Sequence, residues 1–190
     1  SHIEEARDKL ILGKERKTTV MSEEEKKITA YHEAGHALVL LLKPEDTDPL
    51  HKLTIIPRGY SLGVTHFMPE REKYTKSKEE LVAEVMTCFG GRAAEEIVFG
   101  QLTTGAYSDL QTSSKILRAM VCYYGMAREQ VGLMVYGQNQ DDFGYSQKMA
   151  EEIDQIVKDL TNHYNEETKK LLTENRDKLN LLAKRDNVCS

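Results

Sequence analysis

The stretch SEEEKKITAYHEAGHALVLLLK, residues 22–43, decides how this chain is read. Ser22 with Glu25 three residues on is a capping box, so a helix opens here. Apolar residues follow at Ile28, Tyr31, Leu38, Val39 and Leu42, and Pro44 predicts a stop near Lys43. Inside that helix lies His32-Glu33-Ala34-Gly35-His36. Residues i and i+4 share a helix face one turn apart, so both imidazoles reach toward one point. A zinc ion suits that point, because it accepts nitrogen donors at ~2.0–2.1 Å in tetrahedral geometry. Glu33 sits beside the first histidine, where a general base that takes a proton from an activated water has to be. Gly35 costs helix stability, which makes sense if something approaches the backbone there.

A catalytic zinc usually has three protein ligands. A third histidine in the HExxHxxGxxH pattern would need glycine at 39 and histidine at 42, where the chain has Val39 and Leu42. A glutamate about twenty residues after the second histidine is also excluded, since no acid lies between Leu50 and Met68. The third ligand therefore comes from further along. Candidates are Glu95 and Glu96 in GGRAAEE (90–96) and Asp109 at the start of a later helix. Against them stand ordinary roles: first-turn acids complement the helix dipole, and the glutamates could face solvent or pair with Arg92. Chemistry alone leaves the choice near even.

The rest of the chain reads as mainly α with one small sheet. His51–Pro57 is rich in β-branched residues, Arg58-Gly59 offers a turn, and Ser61–Phe67 alternates like a strand, so the pair predicts a β-hairpin. Ser77 with Glu80 is a second capping box, opening a helix toward Phe99. Gly90-Gly91 inside it predicts close packing or a break, since each glycine costs ~1 kcal/mol in a helix. Ser108-Asp-Leu-Gln111 reads as a third capping box, with a helix to about Tyr124. From about 146 to 184 the helical pattern returns, with a break expected near Asn162–Thr168. Residues 1–21 are polar and charged and read as a lead-in.

Composition narrows the function classes. The 190 residues are 39% hydrophobic and 30% charged, which suits a soluble globular domain. The net charge of −5 and the lack of a basic patch argue against nucleic acid as a partner. Three cysteines without CxxC spacing give no disulfide framework. No apolar run approaches the ~18 residues of a membrane span.

HEAGHA (32–37), LTIIPRGYSLGVTHFMPE (53–70), GGRAAEE (90–96), LTTGAYSDL (102–110) and LTENRDKL (172–179) together resemble the FtsH-type ATP-dependent zinc peptidases, in that order and with their spacing. The resemblance covers roughly residues 3–183. It implies one zinc per chain on His32, His36 and Asp109, with Glu33 as catalytic base, and it makes Glu95 and Glu96 structural. It implies a helical metallopeptidase fold over residues 22–190, following a lead-in (1–21) from an AAA ATPase module that these residues do not contain. ATP would act only through that module. Further implications are a homo-hexameric ring, polypeptide substrates, and a membrane anchor in segments outside this chain, with the domain on the cytoplasmic face or inside an organelle. The activity implied is endoproteolysis of unfolded or misfolded membrane and soluble proteins by metal-activated water. A catalytically silent zinc-bearing assembly domain is the alternative. Leu62, Gly63, Val64 and Thr65 are read as a strand that docks substrate by its edge. Tyr31, Tyr60, His66 and Tyr107 are candidates for stabilising the oxyanion.

Overall fold

The structure is a computed structural model that describes residues 22–43, 50–54, 64–67, 75–137 and 145–186. Expectations that fall on 1–21, on the turn at Arg58-Gly59, or on Leu62, Gly63 and Tyr60 lie outside these residues. The elements in order are α1 (Glu23–Leu42), β1 (Leu50–Thr54), β2 (Val64–Phe67), α2 (Lys78–Phe99), a 3-10 turn (Thr104–Ala106), α3 (Tyr107–Cys122), the short α4 (Arg128–Val131), α5 (Gln147–Glu174) and α6 (Arg176–Asp186). The class is mainly α with a small hairpin-like sheet, as expected. None of the described helices is long and apolar enough to cross a membrane.

Two capping boxes start their helices where the sequence places them. The Ser22 backbone N–H donates to Glu25 Oε2 at 2.8 Å, and Glu25 N–H donates back to Ser22 Oγ at 3.2 Å. Ser77 and Glu80 repeat the pattern at 2.7 and 3.2 Å. α1 ends at Leu42, ahead of Pro44.

α1 departs from a surface helix in one respect. Every residue from Thr29 to Leu40 is buried, so the helix is enclosed on all sides rather than along one stripe. α2 and α6 pack on it, and β1 and β2 lie beside it. α2 also packs against α3 and α5 and forms the chassis of the domain. Leu38, Phe89, Leu117, Leu172 and Leu179 join their cores in one cluster, each almost fully buried. Each such side chain contributes roughly 1.5–3 kcal/mol.

The glycines explain how α1 and α2 come so close. A Cβ on Gly35 would fall on the Gly90 carbonyl group and 2.9 Å from Ala94 Cβ. A Cβ on Gly90 would sit 2.7 Å from the Gly35 carbonyl oxygen. The two helices therefore touch backbone to backbone at this point. Of the two outcomes expected for Gly90-Gly91, the structure shows close packing, and α2 runs through unbroken.

Two expectations about helix ends need correction. Ser108 does not cap α3. The helix begins at Tyr107 behind Ala106, which makes no side-chain cap bond. The side-chain bond sits one turn earlier, where Gly105 N–H donates to Thr103 Oγ1 at 3.2 Å and opens the 3-10 turn that runs into α3. Asp109 stays in the first turn. The long C-terminal pattern does not break at Asn162–Thr168. Tyr164, Thr168 and Leu172, at i, i+4 and i+8, are all buried, and that ladder holds α5 straight through. The break comes at Asn175, whose Nδ2 donates to the Leu171 carbonyl at 3.0 Å while its own carbonyl accepts from Leu179 N–H at 3.1 Å.

The sheet is two-stranded and antiparallel, with Thr54 opposite Val64 and Leu53 opposite Thr65, and an irregularity between Leu50 and Lys52.

Alanine normally stabilises a helix interior by ~1 kcal/mol over glycine. At Gly35 and Gly90 the sign should reverse, because the methyl has only backbone to displace. Gly35→Ala and Gly90→Ala are each expected to lose ~1–3 kcal/mol or more in urea unfolding. A gain in stability for either would refute the backbone contact.

Candidate metal centre

α1 and α2 cross antiparallel at the Gly35–Gly90 contact. His32, before Gly35, meets Gly91 and Glu95, after Gly90. His36, after Gly35, meets Thr87, before Gly90. The packing that buries both histidines thus also fixes their partners. The His36 Nδ1 lies 2.6 Å from the Thr87 carbonyl oxygen. A carbonyl can only accept, so Nδ1 carries the hydrogen and donates it. The His32 Nδ1 lies 2.6 Å from Glu95 Oε1 and donates to it in the same way. With Nδ1 committed as a donor, Nε2 is the atom each ring has left to present to a cation or a proton.

Asp109 meets those atoms. Its Oδ2 is 3.3 Å from His32 Nε2 and 3.5 Å from His36 Nε2. Three electron-rich atoms lie within 4.8 Å of one another. They can converge only if a cation or extra protons lie between them. Two donors on one tetrahedral zinc stand roughly 3.3–3.4 Å apart, so the spacing and the two-nitrogen, one-oxygen donor set both fit zinc. The two imidazole planes stand at 81°, which lets both Nε2 atoms aim inward without stacking.

The electrostatics express the same strain toward a cation. Burial disfavours charge on His32, but hydrogen bonds to Asp109 and Glu95 and the nearby charge of Glu33 outweigh it and push its pKa up to about 10. Burial also opposes the charge of Asp109, yet hydrogen bonds from His32 and His36 hold its carboxyl well below the usual range. Glu95 is likewise opposed by burial and lowered by His32 and by the Thr103 amide. A divalent cation competes for the lone pairs that hold these protons.

Among the candidates for third ligand, Asp109 joins the histidines and the two glutamates do not. Glu95 is buried, with its second oxygen accepting Thr103 N–H at 3.1 Å. It braces His32 from behind and ties it to the loop leading to Asp109. The sequence offered it as a candidate ligand, and the family resemblance made it structural without naming its partner. The signal was there in the Gly91–Glu95 spacing of i, i+4, which puts a bare backbone and a carboxylate on one helix face. Glu96 points elsewhere, to Lys169 Nζ at 2.9 Å on α5. Neither pairs with Arg92 in the way first considered. Glu33 is buried next to His32. Tyr31 is a packing residue, donating to Asn180 Oδ1 at 3.0 Å and meeting the Phe99 ring edge-on. Tyr107 is 71% exposed. Val64 and Thr65 lie in β2, whose described sheet offers one strand partner, β1.

Comparison with known proteins gives a consistent picture. The family model described as Peptidase family M41 matches residues 19–185. A protein of Cupriavidus metallidurans named "ATP-dependent zinc metalloprotease FtsH" is 44% identical over 188 residues, covering 95% of this chain and 29% of its own length. Proteins with the same name from Rubrobacter xylanophilus and Akkermansia muciniphila are 44% and 42% identical, with 96% of this chain covered in each. The chain spans 29% and 24% of those two relatives, less than a third of either.

The geometry ranks three substitutions by their effect on zinc affinity, measured by competition with a chromogenic chelator. Asp109→Ala should be most damaging. Glu95→Gln should weaken binding ~10–100-fold, the usual scale for a partner that orients a ligand. Glu96→Gln should change it little. Gly91→Ala would place its Cβ 2.5 Å from His32 Nε2, so it should cost zinc affinity more than fold stability. Retention of zinc by Asp109→Ala together with its loss in Glu96→Gln would overturn the assignment.

Proposed function

The chain belongs to peptidase family M41, and from that premise we propose that it is the peptide-cutting domain of a membrane-anchored, ATP-dependent zinc protease. The observation that carries this reading is the convergence of His32 Nε2, His36 Nε2 and Asp109 Oδ2, with Glu33 buried at the first histidine. In this reading the three residues hold one zinc per chain. Zinc supplies a Lewis acid for the scissile carbonyl and lowers the pKa of water toward ~7.

The chain's own residues do the rest. Glu33 accepts a proton from the attacking water as its oxygen bonds to the carbonyl carbon, and returns a proton to the amine as the C–N bond breaks. Glu95 and the Thr87 carbonyl keep the imidazoles from turning. The β2 edge, with Leu62 and Gly63 before Val64 and Thr65, takes an extended substrate by main-chain hydrogen bonds. Backbone pairing accepts many sequences, which suits unfolded polypeptide as the substrate class.

The wider assignment follows the same line. Residues 1–21 are the lead-in from an AAA ATPase module, 22–190 form the peptidase unit, and the full-length protein assembles as a hexamer with its anchor outside this chain. The peptidase unit then lies on the cytoplasmic face of the membrane or inside an organelle.

Glu33→Gln keeps the side chain's size and removes its basicity. It is expected to retain zinc and lose peptide hydrolysis by ~100-fold or more. Full hydrolysis in a zinc-loaded Glu33→Gln protein would exclude Glu33 as the base. Loss of all cleavage in the wild type, with zinc bound, would favour a silent assembly domain instead.

Native proteins are stable by ~5–15 kcal/mol, so their unfolded fraction is tiny. The 190-residue chain should therefore digest casein without ATP, stop on chelation, and spare a tightly folded protein. Digestion of the folded protein faster than it unfolds would contradict this division of labour.

A further inference from the structure

His32 is held at both ring nitrogens by one closed circuit of contacts. Its Nδ1 lies 2.6 Å from Glu95 Oε1, and the other oxygen of Glu95 accepts the Thr103 N–H at 3.1 Å. From Thr103 the chain runs on to Asp109, whose Oδ2 lies 3.3 Å from His32 Nε2 and closes the circuit. His36 takes its bearing elsewhere, from the Thr87 carbonyl.

The stretch between Thr103 and Asp109 has no slack. Thr104–Ala106 is a 3-10 turn, and α3 begins at Tyr107 directly behind it. Ala106 is 1% exposed and makes no side-chain cap bond, while Tyr107 N–H donates to the Thr104 carbonyl. The start of α3 is therefore set by the start of the 3-10 turn, and that point is Thr103. Its backbone is extended, at φ −111° and ψ 168°, and its Oγ1 accepts Gly105 N–H at 3.2 Å. Glycine suits position 105, because a Cβ there would come within 3.3 Å of the same oxygen. One residue thus fixes itself to the brace of His32 by its amide and aims the turn that delivers Asp109 by its hydroxyl.

The two bonds differ in strength. The amide bond goes to the carboxylate of Glu95, itself 1% exposed, and a charged acceptor makes such a bond about twice as strong as a neutral one. The hydroxyl bond is exposed and competes with water, so its share is modest. A metal site magnifies modest displacements, because its donor distances must hold within ~0.2 Å.

We propose that Thr103 is a positioning residue of the metal centre, setting where Asp109 stands relative to His32 through its amide on Glu95 and its hydroxyl on Gly105. The proposal rests on the three-residue zinc site proposed above and adds a residue outside its ligand set. It makes His32 and Asp109 one unit, joined through Glu95. A hydroxyl that only capped a turn would contribute to stability and leave the metal geometry alone.

The test uses the full 190-residue chain. Zinc affinity is read by competition with a chromogenic chelator. Site geometry is read from the visible absorption of the cobalt(II)-loaded protein, which is strong only while the ligands stand tetrahedrally. Thr103→Val keeps the shape of the side chain and its amide and removes only the acceptor. It should weaken zinc binding ~3–10-fold and lower the cobalt absorption, with circular dichroism verifying the fold. Thr103→Ser, which keeps the acceptor, should match the wild type in both. In a Glu95→Gln protein, where the circuit is already cut, the same Thr103→Val change should cost less than ~2-fold. A zinc affinity within ~2-fold of wild type in folded Thr103→Val overturns the proposal and leaves the zinc site standing. Weakened binding with an unchanged cobalt spectrum overturns it equally, since Asp109 has then not moved. So does an equal loss in Thr103→Ser, or an undiminished loss in the Glu95→Gln protein. Should Thr103→Val not fold, Thr103→Ala removes the same acceptor and is held to the same outcomes. A wild-type chain that binds no zinc refutes the zinc site, and the positioning role with it.

Discussion

The backbone contact between Gly35 and Gly90 is the constraint from which the site follows. Two helices carrying ordinary side chains pack with axes 8–10 Å apart. Here neither glycine leaves room for a Cβ. That approach is what lets a carbonyl of α2 reach His36 and a carboxylate of α2 reach His32, both at 2.6 Å. Separate the helices by the thickness of a methyl group and both hydrogen bonds fail together. The imidazoles would then be free to rotate, and the Nε2 lone pairs would no longer share a focus with Asp109.

The same contact sets the electrostatic terms. His32, Glu33, His36 and Glu95 are all buried in one small region. Buried ionisable groups are costly unless each is paired. The domain meets that condition with a chain of bonds: Thr103 amide to Glu95, Glu95 to His32, and both histidines to Asp109. Cys88, close enough to feel Asp109, shows the other response to the same surroundings. Burial and the charges of Asp109 and Glu84 push its thiol up to about 12, so it stays neutral and inert. A protein interior that would reject a lone carboxylate accepts this network because every member has a partner.

Local chemistry was legible in the sequence wherever one residue acts on its near neighbours. Ser22 and Ser77 start helices because their caps span three residues, and Ser146 does the same for α5, bonding Met149 N–H at 3.2 Å. His32 and His36 meet because a helix turn spans four. The errors came where a distant contact outvoted a local pattern. Ser108 has the form of a cap, but the chain is already turning from Thr103. Asn162–Thr168 has the polarity of a break, but burial of Tyr164 and Thr168 against the core carries the helix through. Glu95 stood as a candidate ligand and then as a structural acid, but its brace on His32 was not legible, because that partner is 63 residues away. Spacing and chemistry left Asp109 and Glu95 near even and the family resemblance favoured Asp109; the packing of α1, α2 and α3 is what brings its carboxylate to the two imidazoles.

The histidine side of the site is rigid. Both histidines are braced on the side away from the metal, so the site cannot adapt its shape to a substrate. Asp109 is the most open of the three donors, with 24% of its side chain exposed against 11% and 10% for His32 and His36. A peptide bond inside a folded domain is hydrogen-bonded and packed, and bringing it to such a fixed point would require local unfolding first. Nothing in the described helices offers a means of doing that work. α2 is clamped by α1, α3 and α5. Under the proposed function, so rigid a site selects through what can reach it, and the conformation of a polypeptide then sets which of its bonds are presented to the histidines.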